Sequence, residues 1–116
     1  MKLSGEGKLL RIFIGEADRI DHRPMHDVIV EKAHSSGMAG ATVLRGVEGF
    51  GPRSRTIHTS RILRLSEDLP IIIEIVDTEE HIREFLPIVD ECFERSGCGG
   101  LVTIERAEVM KYTPGR

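Results

Sequence analysis

Residues 70–93, PIIIEIVDTEEHIREFLPIVDECF, decide the fold of this chain. Pro70–Val76 is a nearly continuous apolar run, the pattern of a strand with little solvent exposure. Its proline stands first, where a sheet best tolerates a missing N–H. Asp77-Thr78-Glu79-Glu80 then resembles a capping box, with Asp77 as the cap and Glu80 three residues on. Ile82, Phe85, Leu86, Val89 and Phe93 follow at helical spacing. Pro87 deletes one hydrogen bond inside this helix and is expected to bend it locally. Gly97 can end it in a left-handed cap.

Working outward, Lys8–Gly15 reads as a strand with Leu10, Ile12 and Ile14 on one face. A polar connection, Glu16–Arg23, leads to Pro24, which suits the first position of a helix because its missing N–H costs nothing there. Met25, Val28, Ile29 and Ala33 give that helix its apolar stripe, and Gly37 can stop it. Ala41–Leu44 is the next strand and opens a long loop, from which Ser60–Leu65 can return as an antiparallel partner. Leu101–Ile104 and Ala107–Tyr112 form the last strand or strands, with an irregularity expected near Arg106. The order β-α-β-β-α-β is that of a ferredoxin-like α+β sandwich, one antiparallel sheet with two helices on one face. Strands this apolar would leave the other face as a large exposed patch, so oligomer formation through that face is expected.

The 116 residues suffice for one domain, taken as 1–116, and are too few for two ordinary ones. With 40% apolar and 30% charged residues the composition is that of a soluble globular chain, not a disordered one. No apolar run approaches the roughly 20 residues that span a bilayer, and Met1–Gly5 lacks the apolar core of a secretory signal. Cys92 and Cys98 cannot specify a disulfide framework, so free thiols and a cytoplasmic location are expected. The net charge of −3 is unevenly spread, with five arginines against one acid, Glu48, between Arg45 and Arg64. A weakly acidic chain with one basic loop does not fit broad nucleic-acid binding, which shows a basic face or a high pI. It fits a local contact with a phosphate or an acidic partner, or a solvated loop with no ligand.

That basic loop lies in Gly40–Arg61, GATVLRGVEGFGPRSRTIHTSR. Gly46, Gly49 and Gly51 let backbone N–H groups approach a ligand, and Arg53, Arg55 and Arg61 can pair with an anion. His58 shares the loop. A second glycine cluster, Gly97-Cys98-Gly99-Gly100, follows the second helix. Neither is a dinucleotide fingerprint or a P-loop. Consecutive glycines can still form a backbone nest for phosphate, or simply connect a helix to a strand. His22 and His26 flank Pro24, and no acid completes a ligand set near them; surface histidines are the bland reading. No GxSxG elbow or supported Cys-His pair is present, so no catalytic residue is assigned and no enzyme activity is expected. Cys98 follows a helix C-terminus, the wrong end of the dipole for a depressed thiol pKa.

Taken together, Gly40-Ala-Thr42-Val43, the Gly49-Phe50-Gly51 turn, the apolar strand Pro70–Val76 with Asp77, and the glycine turn Gly97–Gly100 resemble the PII signalling proteins. The closer match is to an uncharacterised PII-like family of bacteria and archaea. Its signature resembles Gly15-Glu16, Gly40-Ala-Thr42-Val43, Arg45-Gly46, Gly49-Phe50-Gly51, Leu65-Ser66, Asp68-Leu69-Pro70 and Gly100-Leu-Val-Thr103 here, and the resemblance covers about Leu9 to Lys111. The resemblance implies a homotrimer with a flexible T-loop at about 46–60. It implies an adenine nucleotide as effector, bound between subunits, with no cofactor required. The nucleotide-binding positions it implies are Thr42, Gly49, Gly51, Arg53, Gly97, Cys98, Gly99 and Gly100, with Lys111 supplied by a neighbouring chain. Arg55, His58 and Arg61 would face a protein partner, and the resemblance suggests a membrane transporter or channel in that role. PII proteins carry Gly-Asp-Gly-Lys where this chain has Gly97-Cys98-Gly99-Gly100, so the phosphate-binding lysine is missing. They also carry a basic residue where Pro52 stands, and some have a loop tyrosine that this loop lacks. These departures point away from tight triphosphate binding and 2-oxoglutarate sensing, and toward AMP or ADP. A CutA-like trimer that binds a divalent metal through histidines and acids is the competing expectation on the same fold.

Overall fold

The computed structural model describes residues 3–52 and 68–116, and the backbone alone of 58–59. Among them the chain runs β1 (Gly5–Gly15), β2 (Arg19–Ile20), β3 (Arg23–Pro24), α1 (Met25–Ser35), β4 (Thr42–Arg45), β5 (Glu48–Gly49), β6 (His58–Thr59), β7 (Pro70–Asp77), α2 (Glu79–Ser96) and β8 (Leu101–Val109). Four strands form one antiparallel sheet in the order β4-β7-β1-β8. This is the ferredoxin-like arrangement expected from the sequence.

Strict alternation on the two central strands builds the core. Leu10, Ile12 and Ile14 of β1 and Ile71, Ile73 and Ile75 of β7 are buried on one face. Against them pack Met25, Val28, Ile29 and Ala33 of α1, and Ile82, Phe85, Val89 and Cys92 of α2. Helical periodicity of 3.6 on one layer therefore meets strand periodicity of 2 on the other. Gly37 (φ +75°) and Gly97 (φ +69°) adopt the left-handed conformation that stops each helix. Pro87 lies on the exposed side of an uninterrupted α2. Water can therefore reach the Arg83 carbonyl that loses its helical donor there.

Three local expectations need correction. Pro24 is the N-cap of α1, with extended backbone (φ −56°, ψ 131°), because it also pairs with Arg19 across the β2–β3 ribbon. The α2 cap is Thr78, not Asp77: Thr78 Oγ1 accepts from the His81 N–H at 3.2 Å. Asp77 instead ends β7 fully buried, and its carboxylate accepts from Thr78 N at 2.6 Å and from Ala39 N at 2.9 Å. It thus ties together the sheet, the start of α2 and the α1–β4 connection. Finally, β8 is a single strand through Arg106. β1 begins three residues before the predicted Lys8, so Ala107–Val109 find partners in Gly5–Gly7 and Arg106 pairs with Lys8. The expected strand at Ser60–Leu65 falls outside the described residues.

The sheet face away from the helices is banded. Leu44, Ile72, Phe13 and Leu101 form an apolar row across all four strands. The next row is Thr42, Glu74, Arg11 and Thr103, in which Arg11 donates to Glu74 at 2.9 Å and also, at 2.6 Å, to Glu105. At the ends of the apolar row Leu44 and Leu101 are about half exposed, at 44% and 55%.

The Asp77 junction makes a direct prediction. Asp77→Ala strands two partly buried N–H donors and is expected to cost about 2–4 kcal/mol in urea unfolding. Thr78→Ala, which loses only the cap, is expected to cost about 1 kcal/mol. Equal, small losses would contradict the junction.

Candidate ligand-binding cleft

Antiparallel pairing brings remote segments to one end of the sheet. Gly15 pairs with Pro70, Phe13 with Leu101, and Arg45 with Ile71. The end of β1, the starts of β7 and β8 and the exit of β4 therefore meet there. Between them lies a cleft of about 720 Å³. One wall is Phe50, Gly51 and Pro52 from the loop base, and another is Gly97, Cys98, Gly99 and Gly100 after α2. Phe13, Ile14, Gly15, Asp18, Asp68, Pro70 and Leu101 are the other described residues that line it.

The loop base is seated on Pro70. Gly46 N donates to the Pro70 carbonyl at 2.7 Å. A Cβ on Gly49 would lie 2.8 Å from Pro70 Cγ, so the close approach requires glycine there. Gly49 pairs with His58, and Glu48 with Thr59, so the two limbs of the loop form a short ribbon at its root. Arg45 anchors this root to the turn after β1 through a two-pronged pair with Glu16, Nε–Oε2 2.9 Å and Nη2–Oε1 3.0 Å.

The turn after β1 is laced in the same way. Asp18 Oδ2 accepts from Gly15 N at 2.8 Å, and Asp68 Oδ1 from Ala17 N at 3.0 Å. Glu16 N donates to the Leu69 carbonyl at 2.8 Å. Opposite, the Gly97–Gly100 turn packs tightly on the sheet. A Cβ on Gly100 would meet Phe93 Cε1 at 2.5 Å and the Phe13 carbonyl oxygen at 2.6 Å. Cys98 N donates to Ser96 Oγ at 3.0 Å. Burial pushes the Cys98 thiol above its ordinary pKa, and the neighbouring Asp18 carboxylate adds to the rise. The thiol is therefore not activated, in keeping with its place after a helix C-terminus.

The structure brings five of the expected nucleotide-binding positions to the cleft: Gly51, Gly97, Cys98, Gly99 and Gly100. Gly49 stands beside it as part of the seat. Thr42 does not line it; it sits three residues up β4, exposed and paired with Glu74. Lys111 lies beyond the far end of β8, whose nine residues carry the chain roughly 27 Å from Leu101 at about 3.4 Å each. In one chain it cannot reach the cleft. Arg53, Arg55 and Arg61 fall outside the described residues, and only the backbone of His58 is described. Among the described residues no three His, Cys, Asp or Glu side chains converge as a metal site.

Asp18, Phe13 and Pro70 are cleft residues that the sequence does not single out for a site. Asp68 and Pro70 are visible in it only as part of the Asp68-Leu69-Pro70 signature. Asp18 carries no comparable signal, since its place in the turn depends on the backbone of Gly15.

With this geometry in view, comparison with known proteins places the chain. Residues 7–109 match the model of the DUF190 family, described as "Uncharacterized ACR, COG1993", and the chain belongs to that family. A UPF0166 protein of Aquifex aeolicus is 35% identical over 103 residues, covering 89% of this chain and 92% of that protein. One from Methanocaldococcus jannaschii is 36% identical over 106 residues, covering 91% and 94%. Among solved structures, CPII of Thiomonas intermedia K12, a nitrogen regulatory PII-like protein bound to ADP, AMP and bicarbonate, superposes with a TM-score of 0.66. That match has 20% identity and covers 91% of this chain and 90% of that one. The fold is PII-like.

The packing of the two glycine walls can be tested separately. Gly100→Ala is expected to lose about 1–3 kcal/mol through overpacking. Gly51→Ala, whose Cβ would meet open space, should stay within about 0.5 kcal/mol of the parent protein. A second check uses neutral iodoacetamide. Cys98 should reach half-maximal alkylation rate at a pH above that of an ordinary thiol, because its raised pKa leaves less thiolate at any given pH. Cys92, fully buried, should react only on unfolding.

Proposed function

We propose that this protein is a non-catalytic, nucleotide-responsive signalling regulator. It works as a homotrimer that binds AMP or ADP in clefts between subunits. The observation that carries this reading is the convergence of the loop base, Phe50–Pro52, and the Gly97–Gly100 turn on one cleft. A ligand seated there touches the root of the basic loop and a fixed turn at once. Any contact it makes with the loop then biases the loop's conformation by the differential binding energy. CPII, which shares the fold and has been solved bound to ADP and AMP, supports an adenine nucleotide as the ligand class.

The banded sheet face supports self-association. Its apolar row, Leu44-Ile72-Phe13-Leu101, is the area that a neighbouring subunit would cover. Assembly would also bring a neighbour's Lys111 toward the cleft that its own chain cannot reach. Gly49 and Arg53 complete the proposed nucleotide site on this chain, and Thr42, off its own chain's cleft on exposed β4, would join the site only across the subunit boundary. Arg55, His58 and Arg61 are the surface offered to a protein partner, for which a membrane transporter or channel is the proposed class. No helix among the described residues is long and apolar enough to cross a membrane.

Titration calorimetry with AMP, ADP and ATP, run beside sedimentation velocity, tests the proposal. Binding of AMP or ADP to a trimer is expected, with an Arg53→Ala/Arg55→Ala variant weakened roughly tenfold by loss of charge-assisted bonds. Phe13→Glu, in the middle of the apolar row, should sediment as a monomer. A monomeric parent protein, or one that binds none of the three nucleotides, would overturn it.

A further inference from the structure

Among the described residues the lining of the cleft includes no lysine, arginine or histidine to hold a phosphate, and it includes the carboxylate of Asp18. Asp18 is held in place from two directions, by Gly15 N on its Oδ2 at 2.8 Å and by its own N–H on the Gly15 carbonyl at 3.1 Å. It lines the same cleft as Cys98, in the middle of the glycine turn, and its carboxylate helps to raise the thiol's pKa. The turn has also lost a donor, because the Cys98 N–H is spent on Ser96 Oγ at 3.0 Å. A backbone nest binds an anion only when its N–H groups are free and the local potential is positive. Here one N–H is occupied and the Asp18 carboxylate shares the cleft with the turn.

We propose that Asp18 is a specificity-determining residue that makes the Gly97–Gly100 turn reject anionic groups. Among nucleotides this ranks AMP above ADP and ADP above ATP. The base and sugar lie against the turn and the phosphate points away from it, toward the mouth where a second subunit's Lys111 would arrive. The nucleotide ranking rests on the function proposed above. The charge of the cleft does not, and it can be read without any nucleotide.

Cys98 is a probe already in position. It lines the cleft and is partly exposed, while Cys92 is buried and serves as an internal control. In the parent protein, a cationic methanethiosulfonate (trimethylammonium-ethyl) is expected to modify Cys98 faster than the anionic sulfonatoethyl reagent. Each rate is normalised to a free thiol. A single charge a few ångströms away makes this ratio roughly tenfold at low salt, and it should shrink as salt screens the charge. Asp18→Asn keeps an acceptor oxygen for Gly15 N but removes the charge. It should bring the ratio close to one and tighten ATP roughly tenfold, while adenosine binding changes less than about twofold. An anionic reagent that reacts as fast as the cationic one in the parent protein would overturn the proposal. So would an Asp18→Asn variant that leaves the reagent ratio unchanged. If the ratio behaves as expected but no adenine compound binds, the anion-rejecting cleft stands and the nucleotide reading fails.

Discussion

The pairing of β1 with β7 on one side and β8 on the other is the constraint on which everything else depends. Leu10, Ile12 and Ile14 must face the helices, and a slip of one residue would turn all three to the open face. Once that register is set, Gly15 must stand opposite Pro70, and Phe13 opposite Leu101. The start of the loop after β4, the turn after β1 and the turn after α2 then have no choice but to meet. The cleft is a consequence of core packing, not an addition to it.

Each wall of the cleft is tied to the sheet by its own set of contacts. The Gly97–Gly100 turn is held by the α2 cap and by close packing of Gly100 on Phe93 and Phe13. The turn after β1 is held by its backbone N–H groups, which donate to the Asp68 carboxylate and the Leu69 carbonyl. The loop root is held by the Gly46 N–H on the Pro70 carbonyl, the glycine seat over Pro70 and the two-pronged Arg45–Glu16 pair. A ligand that bridges the two walls would therefore couple the root of the basic loop to the turn after α2.

Most of the fold was legible in the sequence because its signals were periodic. Alternation in Lys8–Gly15 and helical spacing in Ile82–Phe93 each point to one face, and burial followed them. The errors came at junctions, where one residue answers to two neighbours. Asp77 reads locally as a helix cap, but Ala39 on a distant connection claims one of its oxygens, and Thr78 takes over the cap. The Ala39 N–H is 38 positions away and leaves no local trace. Arg106 reads as an irregularity in the last strand or strands because β1 reads only from Lys8; the extra residues Gly5–Gly7 carry little hydrophobic pattern. In the cleft, the two glycine clusters were legible as backbone that could approach a ligand. Asp18 was not, because its position follows from a turn geometry that polar residues in Glu16–Arg23 do not announce. Lys111 entered only through the family resemblance, and it stands beyond the far end of β8, away from this chain's own cleft.

The central claim is that an adenine nucleotide sits between the loop root and the Gly97–Gly100 turn. A crystal structure of the protein grown with saturating AMP tests it most directly. Density for AMP is expected in that cleft, in contact with Gly51 and the Gly97–Gly100 backbone, with the phosphate directed away from Asp18 and toward a neighbouring subunit's Lys111. A cleft empty of nucleotide at saturating AMP, or AMP bound elsewhere on the molecule, would contradict it.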